Sequence, residues 1–205
     1  MAKQWERDSV FLNLSKEAKK IGRIIVGESK SYMAYQFARQ ARNLPGDMAE
    51  MGVFMGSTAK LIALAASDTK KKIHLFDTFE GLPDPVKPID IHNKGEFNVD
   101  FNKVKDFFKD CPNVVFHKGL FPKTTAGLEN VKYSFVHVDG DLYQSTLDSL
   151  EYFYPRMVPG GVILFDDYNW PHTPGVVKAV EEFMVSKPER IIVSALEYQA
   201  FIIKL

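Results

Sequence analysis

The sequence predicts an α/β fold, with a mostly parallel seven-stranded sheet, one antiparallel edge strand and helices on both faces. Apolar residues switch repeatedly between period 2 and a helical period of 3.6 along the 205 residues. The connections between the first five strand-like segments are long enough for crossovers, which parallel strands require. The last two β-rich segments, 190–194 and 199–204, are instead about four residues apart, a hairpin spacing that reverses one strand.

Taken in order, residues 30–43 carry Tyr32, Tyr35, Phe37, Ala38 and Ala41 at helical spacing, and Pro45-Gly46 ends that helix. The stretch up to about residue 45 then forms a helical N-terminal cap. Residues 48–54 read as the first strand, and Ser57 as the N-cap of an Ala/Leu-rich helix over 58–67. Strands follow at 72–76, 113–117, 134–138 and 161–165, with helices at 101–110, 143–154 and 174–185. Residues 80–98 stand apart, because Pro83, Pro85 and Pro88 with Gly81, Asn93 and Gly95 make a long irregular loop, and such loops in compact domains usually act. It is expected to be a lid. No repeat or low-complexity tract divides the chain, so residues 1–205 are expected to form one domain.

Composition excludes several classes. Lys plus Arg and Asp plus Glu both number 26, so no net positive charge recommends a nucleic acid or an anionic membrane as partner. No apolar run approaches the roughly 20 residues that span a bilayer. The N-terminal residues lack a secretory pattern and Cys111 is the only cysteine, which together place the protein in the cytoplasm by expectation.

In open parallel sheets ligands bind beyond the carboxyl ends of the strands, so the residues there are the informative ones. After the first strand, Glu50-Met51-Gly52-Val53-Phe54-Met55-Gly56-Ser57 brings glycines and a helix N-terminus to that edge. Such turns also serve packing, and this one needs a partner. It has one in Asp77, at the end of the second strand, where an acid accepts hydrogen bonds from ribose hydroxyls in nucleotide-binding βαβ units. The pair points to a nucleoside. No Gly-Lys-Ser/Thr triphosphate loop is present, and the third glycine of a dinucleotide turn is missing. Glu50 could instead face a cationic ligand, and S-adenosylmethionine carries both a sulfonium and an ammonium.

Asp139 and Asp141 follow one buried strand, and Asp166 and Asp167 follow the next. Carboxylates gathered at one edge need a cation or must take up protons. An oxygen-only donor set suits a hard ion, so Asp139, Asp166 and Asp167 are expected to hold Mg²⁺, with Mn²⁺ or Ca²⁺ as alternatives. Asp141 is read as a cap of the helix that starts at Tyr143. His74, His117 and His137 fall in strands, where a hydrogen-bonded structural histidine is expected, and His172 falls in a loop.

Several segments resemble the macrocin O-methyltransferase (TylF-like) family: Glu50-x-Gly-x-Phe-x-Gly, Asp77-Thr78-Phe79-Glu80-Gly81-Leu82-Pro83, Lys118-Gly119-Leu120-Phe121, Asp139-Gly140-Asp141-Leu142-Tyr143-Gln144-Ser145-Thr146 and Pro159-Gly160-Gly161-x4-Asp166-Asp167-Tyr168. The resemblance implies a Rossmann-like class I methyltransferase fold, S-adenosylmethionine as donor, a divalent metal, and a hydroxyl of a sugar or phenolic secondary metabolite as acceptor. It places Glu50, Gly52, Asp77 and Phe79 against the donor, with Phe54, Gly56, Ser57, Thr78, Gly119, Phe121 and Asp139 completing the expected donor-binding set. It assigns the metal to Asp139, Asp166 and Asp167, and is compatible with a homo-oligomer. Asp139 is the first candidate to take the acceptor's proton and His92, in the lid, the second. Two other readings stay open at this stage, a nicotinamide-dinucleotide oxidoreductase and a catalytically silent nucleoside-binding scaffold.

Overall fold

A computed structural model describes residues 3–21, 27–195 and 198–205. The N-terminal part contains two helices where the sequence suggests one. Helix α1 (Ser9–Ala18) starts because the Asp8 carboxylate accepts from the Phe11 amide at 2.9 Å, and it buries Phe11, Ser15 and Ala18. Helix α2 (Glu28–Ala41) turns Tyr32, Tyr35, Ala38 and Ala41 inward, and the Phe11 ring packs against Tyr32 and Tyr35 at 4.9 and 5.3 Å.

The strands are β1 (Asp47–Met51), β2 (Ile73–Asp77), β3 (Val114–Lys118), β4 (Tyr133–Val138), β5 (Met157–Phe165), β6 (Ile192–Val193) and β7 (Ala200–Ile203). They form one seven-stranded sheet in the order β3-β2-β1-β4-β5-β7-β6. β1 to β5 are parallel, and β7 runs antiparallel to both β5 and the short outer strand β6. The remaining helices are α3 (Ser57–Ala65), α4 (Phe101–Phe107), α5 (Tyr143–Phe153) and α6 (Pro174–Met184).

Both faces of the sheet are covered, as the unbroken apolar character of its central strands requires. Successive side chains alternate between faces. Met48, Ile73, Leu75, Phe135 and Leu164 pack with residues of α1, α2 and α3. Ala49, Phe76, Val136, Ile163 and Phe165 pack on the other side with residues of α5 and α6. Phe135 and Phe165 are fully buried, each worth roughly 1.5–3 kcal/mol by transfer of its apolar surface.

Strand β1 stops at Met51, three residues before the sequence suggests, because Gly52 takes φ +86° and turns the chain out of the sheet. A Cβ at Gly52 would lie 1.8 Å from the Asp139 carbonyl oxygen, so only glycine lets the β1 and β4 ends approach this closely. The order reverses between β1 and β4, which makes the crevice above these two strands the topological switch point.

Residues 78–100 contain no helix or strand but are tied by their own bonds. Backbone bonds cross the loop at Leu82, whose N–H donates to the Glu96 carbonyl and whose carbonyl accepts from Gly95 N–H. The Lys87 ammonium donates to the carbonyls of Asp90, Ile91 and His92. Buried Asp90 docks the loop onto the body: one carboxylate oxygen accepts from Val86 N at 2.7 Å and the other from Tyr143 N at 2.9 Å.

Candidate active site

The parallel ladder continues one residue past each strand and thereby aligns the strand ends. Gly52 N donates to Phe76 O, Asp139 N to Met51 O and Asp166 N to Val138 O, at 2.8–3.0 Å. A cavity of about 410 Å³ opens above them, within the size range of small-molecule sites.

Its floor holds a buried pair. His137 Nδ1 lies 2.8 Å from Glu50 Oε1, and both side chains are almost wholly inaccessible to solvent. Burial lifts the Glu50 carboxyl above its ordinary range, although His137 opposes this. Burial alone would lower the His137 imidazole, but the bond and charge of Glu50 outweigh it and leave it raised. Glu50 Oε2 and His137 Nε2 have no hydrogen-bond partner, and Glu50 lines the cavity. An unsatisfied buried acceptor at a cavity wall is a place for a ligand's donor.

Asp77 does work that the sequence does not reveal. Its Oδ2 accepts from both Val53 N and Phe54 N at 2.7 Å, and its Oδ1 from Phe79 N at 2.6 Å. The carboxylate thus fastens the glycine turn to the end of β2 before any ligand arrives.

The acidic cluster lines the same cavity, close enough for the charge of Asp166 to act on both Glu50 and His137. Asp139, Asp166 and Asp167 each offer an oxygen within 4.8 Å of the others. Burial raises Asp139 well above the carboxylate range, and the charges of Asp166, Asp141 and Asp167 add to it. Asp167 is raised by burial and by Asp166, against the pull of Lys30. Asp141 is pushed up to about 7, by burial and then by Asp167. The Lys30 ammonium reaches in from α2, 3.3 Å from Asp166 Oδ2 and hydrogen-bonded to Asp167 Oδ1. Burial opposes its charge, yet these two carboxylates hold its pKa above the ordinary value. Buried Gln199 donates to Asp166 Oδ1 at 2.7 Å. Three carboxylates facing one ammonium leave an excess of negative charge, and their oxygens suit a hard divalent cation.

The rim is aromatic. Trp170 N donates to Asp167 O in the turn after β5, and Tyr198 precedes the Gln199 that steadies Asp166. Their rings meet edge to face at 4.6 Å, and both are more than a third exposed at the cavity mouth. His92 lines the same cavity from the loop, with Nδ1 2.6 Å from Glu96 Oε2.

The Macrocin-O-methyltransferase (TylF) family model matches residues 21–196. The chain belongs to this family. It is 33% identical over 144 residues to an 8-demethyl-8-(2,3-dimethoxy-alpha-L-rhamnosyl)-tetracenomycin-C 4'-O-methyltransferase of Streptomyces olivaceus, covering 62% of this chain and 55% of that one. It is 30% identical over 158 residues to a demethyldecarbamoylnovobiocin O-methyltransferase of Streptomyces niveus, covering 69% and 59%. Including a mycinamicin III 3''-O-methyltransferase of Micromonospora griseorubida, the matches span 55% to 61% of the curated relatives. Among solved structures, the O-methyltransferase NovP superposes with TM-score 0.74 at 24% identity, over 88% of this chain and 81% of that one. The calicheamicin methyltransferase CalS11 gives 0.75 at 19%, over 99% and 94%. The fold is that of the Rossmann-like methyltransferases.

In this TylF-family chain the cavity gathers Glu50, Gly52, Phe54, Gly56, Ser57, Asp77, Thr78, Gly119, Phe121, His92, Asp139, Asp166 and Asp167, as the sequence motifs suggest. Phe79 is the exception. Its ring is buried against Phe101 and Phe116, at 4.7 and 6.2 Å, and does not line the cavity, because its φ of +55° turns the side chain under the loop. Ser57 is not the cap of α3 either: Gly56, at φ +87°, occupies that position and Ser57 is the first helical residue. Nor does Asp141 cap α5, whose first amide goes to Asp90, leaving the Asp141 carboxylate in the cavity. Lys30, Gln199 and Asp90 escaped sequence reasoning, since each reaches its partner from at least 33 residues away.

Proposed function

We propose that this protein is an S-adenosylmethionine-dependent O-methyltransferase that acts, with a divalent cation, on a hydroxyl of a sugar or phenolic group in a secondary metabolite. One observation carries the reading: a single cavity joins the unpartnered Glu50 Oε2 to the Asp139, Asp166 and Asp167 cluster. The first suits the ammonium of the donor, the second a hard cation beside the acceptor. Family membership and the activities named for the relatives support the same class.

When bound, the donor supplies a methyl group on a sulfonium, and a divalent cation at Asp139, Asp166 and Asp167 supplies Lewis acidity that lowers the acceptor hydroxyl's pKa. The chain does the rest. Glu50, oriented by His137, holds the cationic end of the donor. The turn fastened by Asp77 keeps the amides at the start of α3 facing the cavity. Asp139 receives the acceptor's proton as the new oxygen–carbon bond forms and the carbon–sulfur bond breaks, giving a methyl ether and S-adenosylhomocysteine. His92, held by Glu96 at the mouth, is the second candidate base. Trp170 and Tyr198 wall the acceptor side and, with the loop over 80–98 acting as lid, exclude water. We further infer a single domain, and a cytoplasmic location that the single, buried cysteine fits.

Calorimetric titration with S-adenosylmethionine and S-adenosylhomocysteine, with Mg²⁺ and after chelation, tests the reading. The expected result is micromolar binding of both, with Glu50→Gln weakening it about tenfold, the worth of one charge-assisted hydrogen bond. Binding of NADH with neither nucleoside bound would replace it with an oxidoreductase. Donor binding without transfer to any hydroxylated acceptor would leave a silent scaffold.

A further inference from the structure

The acidic cluster already contains a cation of the chain's own. Lys30 Nζ contacts Asp166 and Asp167 at once, and its side chain is only 12% exposed. Among the described residues no other lysine, arginine or histidine forms an ion pair with these carboxylates. The contact is not local. Lys30 lies 136 and 137 residues away in sequence, on a helix whose other inward residues pack in the hydrophobic core. Asp166 is held in place from its other oxygen by Gln199, so this carboxylate is positioned by the chain's own groups on both sides.

A divalent ion bound to the same oxygens would sit about 2.0–2.6 Å from each. An ammonium in hydrogen-bond contact with both carboxylates fills the space from which such an ion would touch them, and the two cations repel. We propose that Lys30 is a tethered counter-cation of the Asp139, Asp166 and Asp167 cluster, and that a divalent ion must displace its ammonium to bind. This rests on the reading of the cluster as a cation site. The device has a physical purpose. It lets three converging carboxylates fold without metal, and it sets the metal affinity low enough that occupancy follows the free concentration of the ion. The displaced ammonium stays tethered beside the acceptor side of the cavity.

Mn²⁺ is the probe. Chelated wild type, Lys30→Met and Lys30→Arg are titrated with Mn²⁺, with free ion followed by electron paramagnetic resonance, and S-adenosylhomocysteine affinity is measured on each. The expected result is one Mn²⁺ bound at least tenfold more tightly by Lys30→Met, with Lys30→Arg within about threefold of wild type. Metal-free Lys30→Met should melt below wild type, and Mn²⁺ should restore it. Equal or weaker Mn²⁺ binding by Lys30→Met overturns the proposal, as does a lowered melting temperature that Mn²⁺ does not recover. Failure of all three proteins to take up Mn²⁺ while still binding S-adenosylhomocysteine overturns the cation reading and this proposal together, and leaves the donor reading intact.

Discussion

Two polar networks are buried in this sheet, one at each end of β1, and they are built on opposite terms. At the carboxyl end, Glu50, His137 and the three aspartates carry more charge than they can settle among themselves. Two of their polar atoms have no partner, and the carboxyl groups of Asp139 and Asp167 are pushed toward protonation. At the amino end the charged groups are paired, and the open atom among them is the neutral Tyr133 hydroxyl beside His74. The Asp47 carboxylate accepts from Lys72 N at 2.9 Å and meets His74 Nε2 at 3.2 Å, while His74 Nδ1 meets His117 Nε2 at 2.9 Å. The Lys71 ammonium donates to the carbonyls of Leu44 and Gly46 and to Ser134 Oγ. A network satisfied internally stabilises, whereas one with excess charge and open valences is costly until a ligand completes it. The difference separates binding from scaffolding by excess charge rather than by burial alone, since Lys71 and His74 of the amino-end network are buried too.

Substitutions at the two ends should therefore fail in opposite ways. The largest effect is expected for Asp139→Asn. Losing the proposed proton acceptor and cation ligand should lower kcat by about 10²–10⁴ with any acceptor the wild type methylates. S-adenosylhomocysteine affinity should stay within threefold. The melting temperature of the metal-free protein should hold or rise, because one of three crowded charges is gone. A fall in turnover of less than tenfold would remove Asp139 as the base and turn attention to His92.

Lys71→Ala should do the reverse. It leaves the partly buried carbonyls of Leu44 and Gly46 without this donor, at a cost of about 1–3 kcal/mol, and each kcal/mol is worth roughly 2–4 °C in a domain of this size. Urea and thermal unfolding should show the loss, with donor affinity unchanged. A Lys71→Ala protein as stable as wild type, or one that binds donor more weakly, would break the contrast between the two ends.

The same contrast governs how much could be read from sequence. Parallel strands, crossover helices and the final hairpin were legible because they follow from periodicity and spacing. The first-turn glycines, Asp77 and the strand-end aspartates were legible because strands deliver their last residues to one edge whatever the rest of the chain does. What escaped depends on tertiary reach. Helix α1 had a local signal, Asp8 before Val10, Phe11 and Leu12, but is short. Lys30 carries no mark on α2 that distinguishes it from a solvated lysine. Asp90 sits in a loop with nothing to say that it caps a helix 53 residues later, and that pairing displaced the reading of Asp141 as the cap. Phe79 belongs to a specific motif, yet a positive φ directs its ring inward, which no pattern of residue types encodes.

The smallest and most diagnostic effect concerns protons at the closed end. His117 is half-buried against Phe76, their rings stacked at 4.5 Å, and burial followed by the neighbouring His74 lowers its pKa from the ordinary 6.5 to about 4. The folded protein therefore prefers the neutral ring. Above pH 6.5 neither state binds the proton and the stabilisation is complete. Between pH 6.5 and 4 the unfolded chain takes up a proton that the folded one refuses, so stability falls with pH, and below about 4 the loss levels off. Discounted for partial exposure, the group should contribute about 1–2 kcal/mol of that decline. Replacement by Phe, which can keep the stack on Phe76, should remove this part of the slope, seen as urea midpoints for wild type and His117→Phe that converge on going from pH 7 to pH 4.5. Curves that stay parallel would mean that the histidine pair admits a proton freely, and the amino-end network would then be as open as the one that faces the cavity.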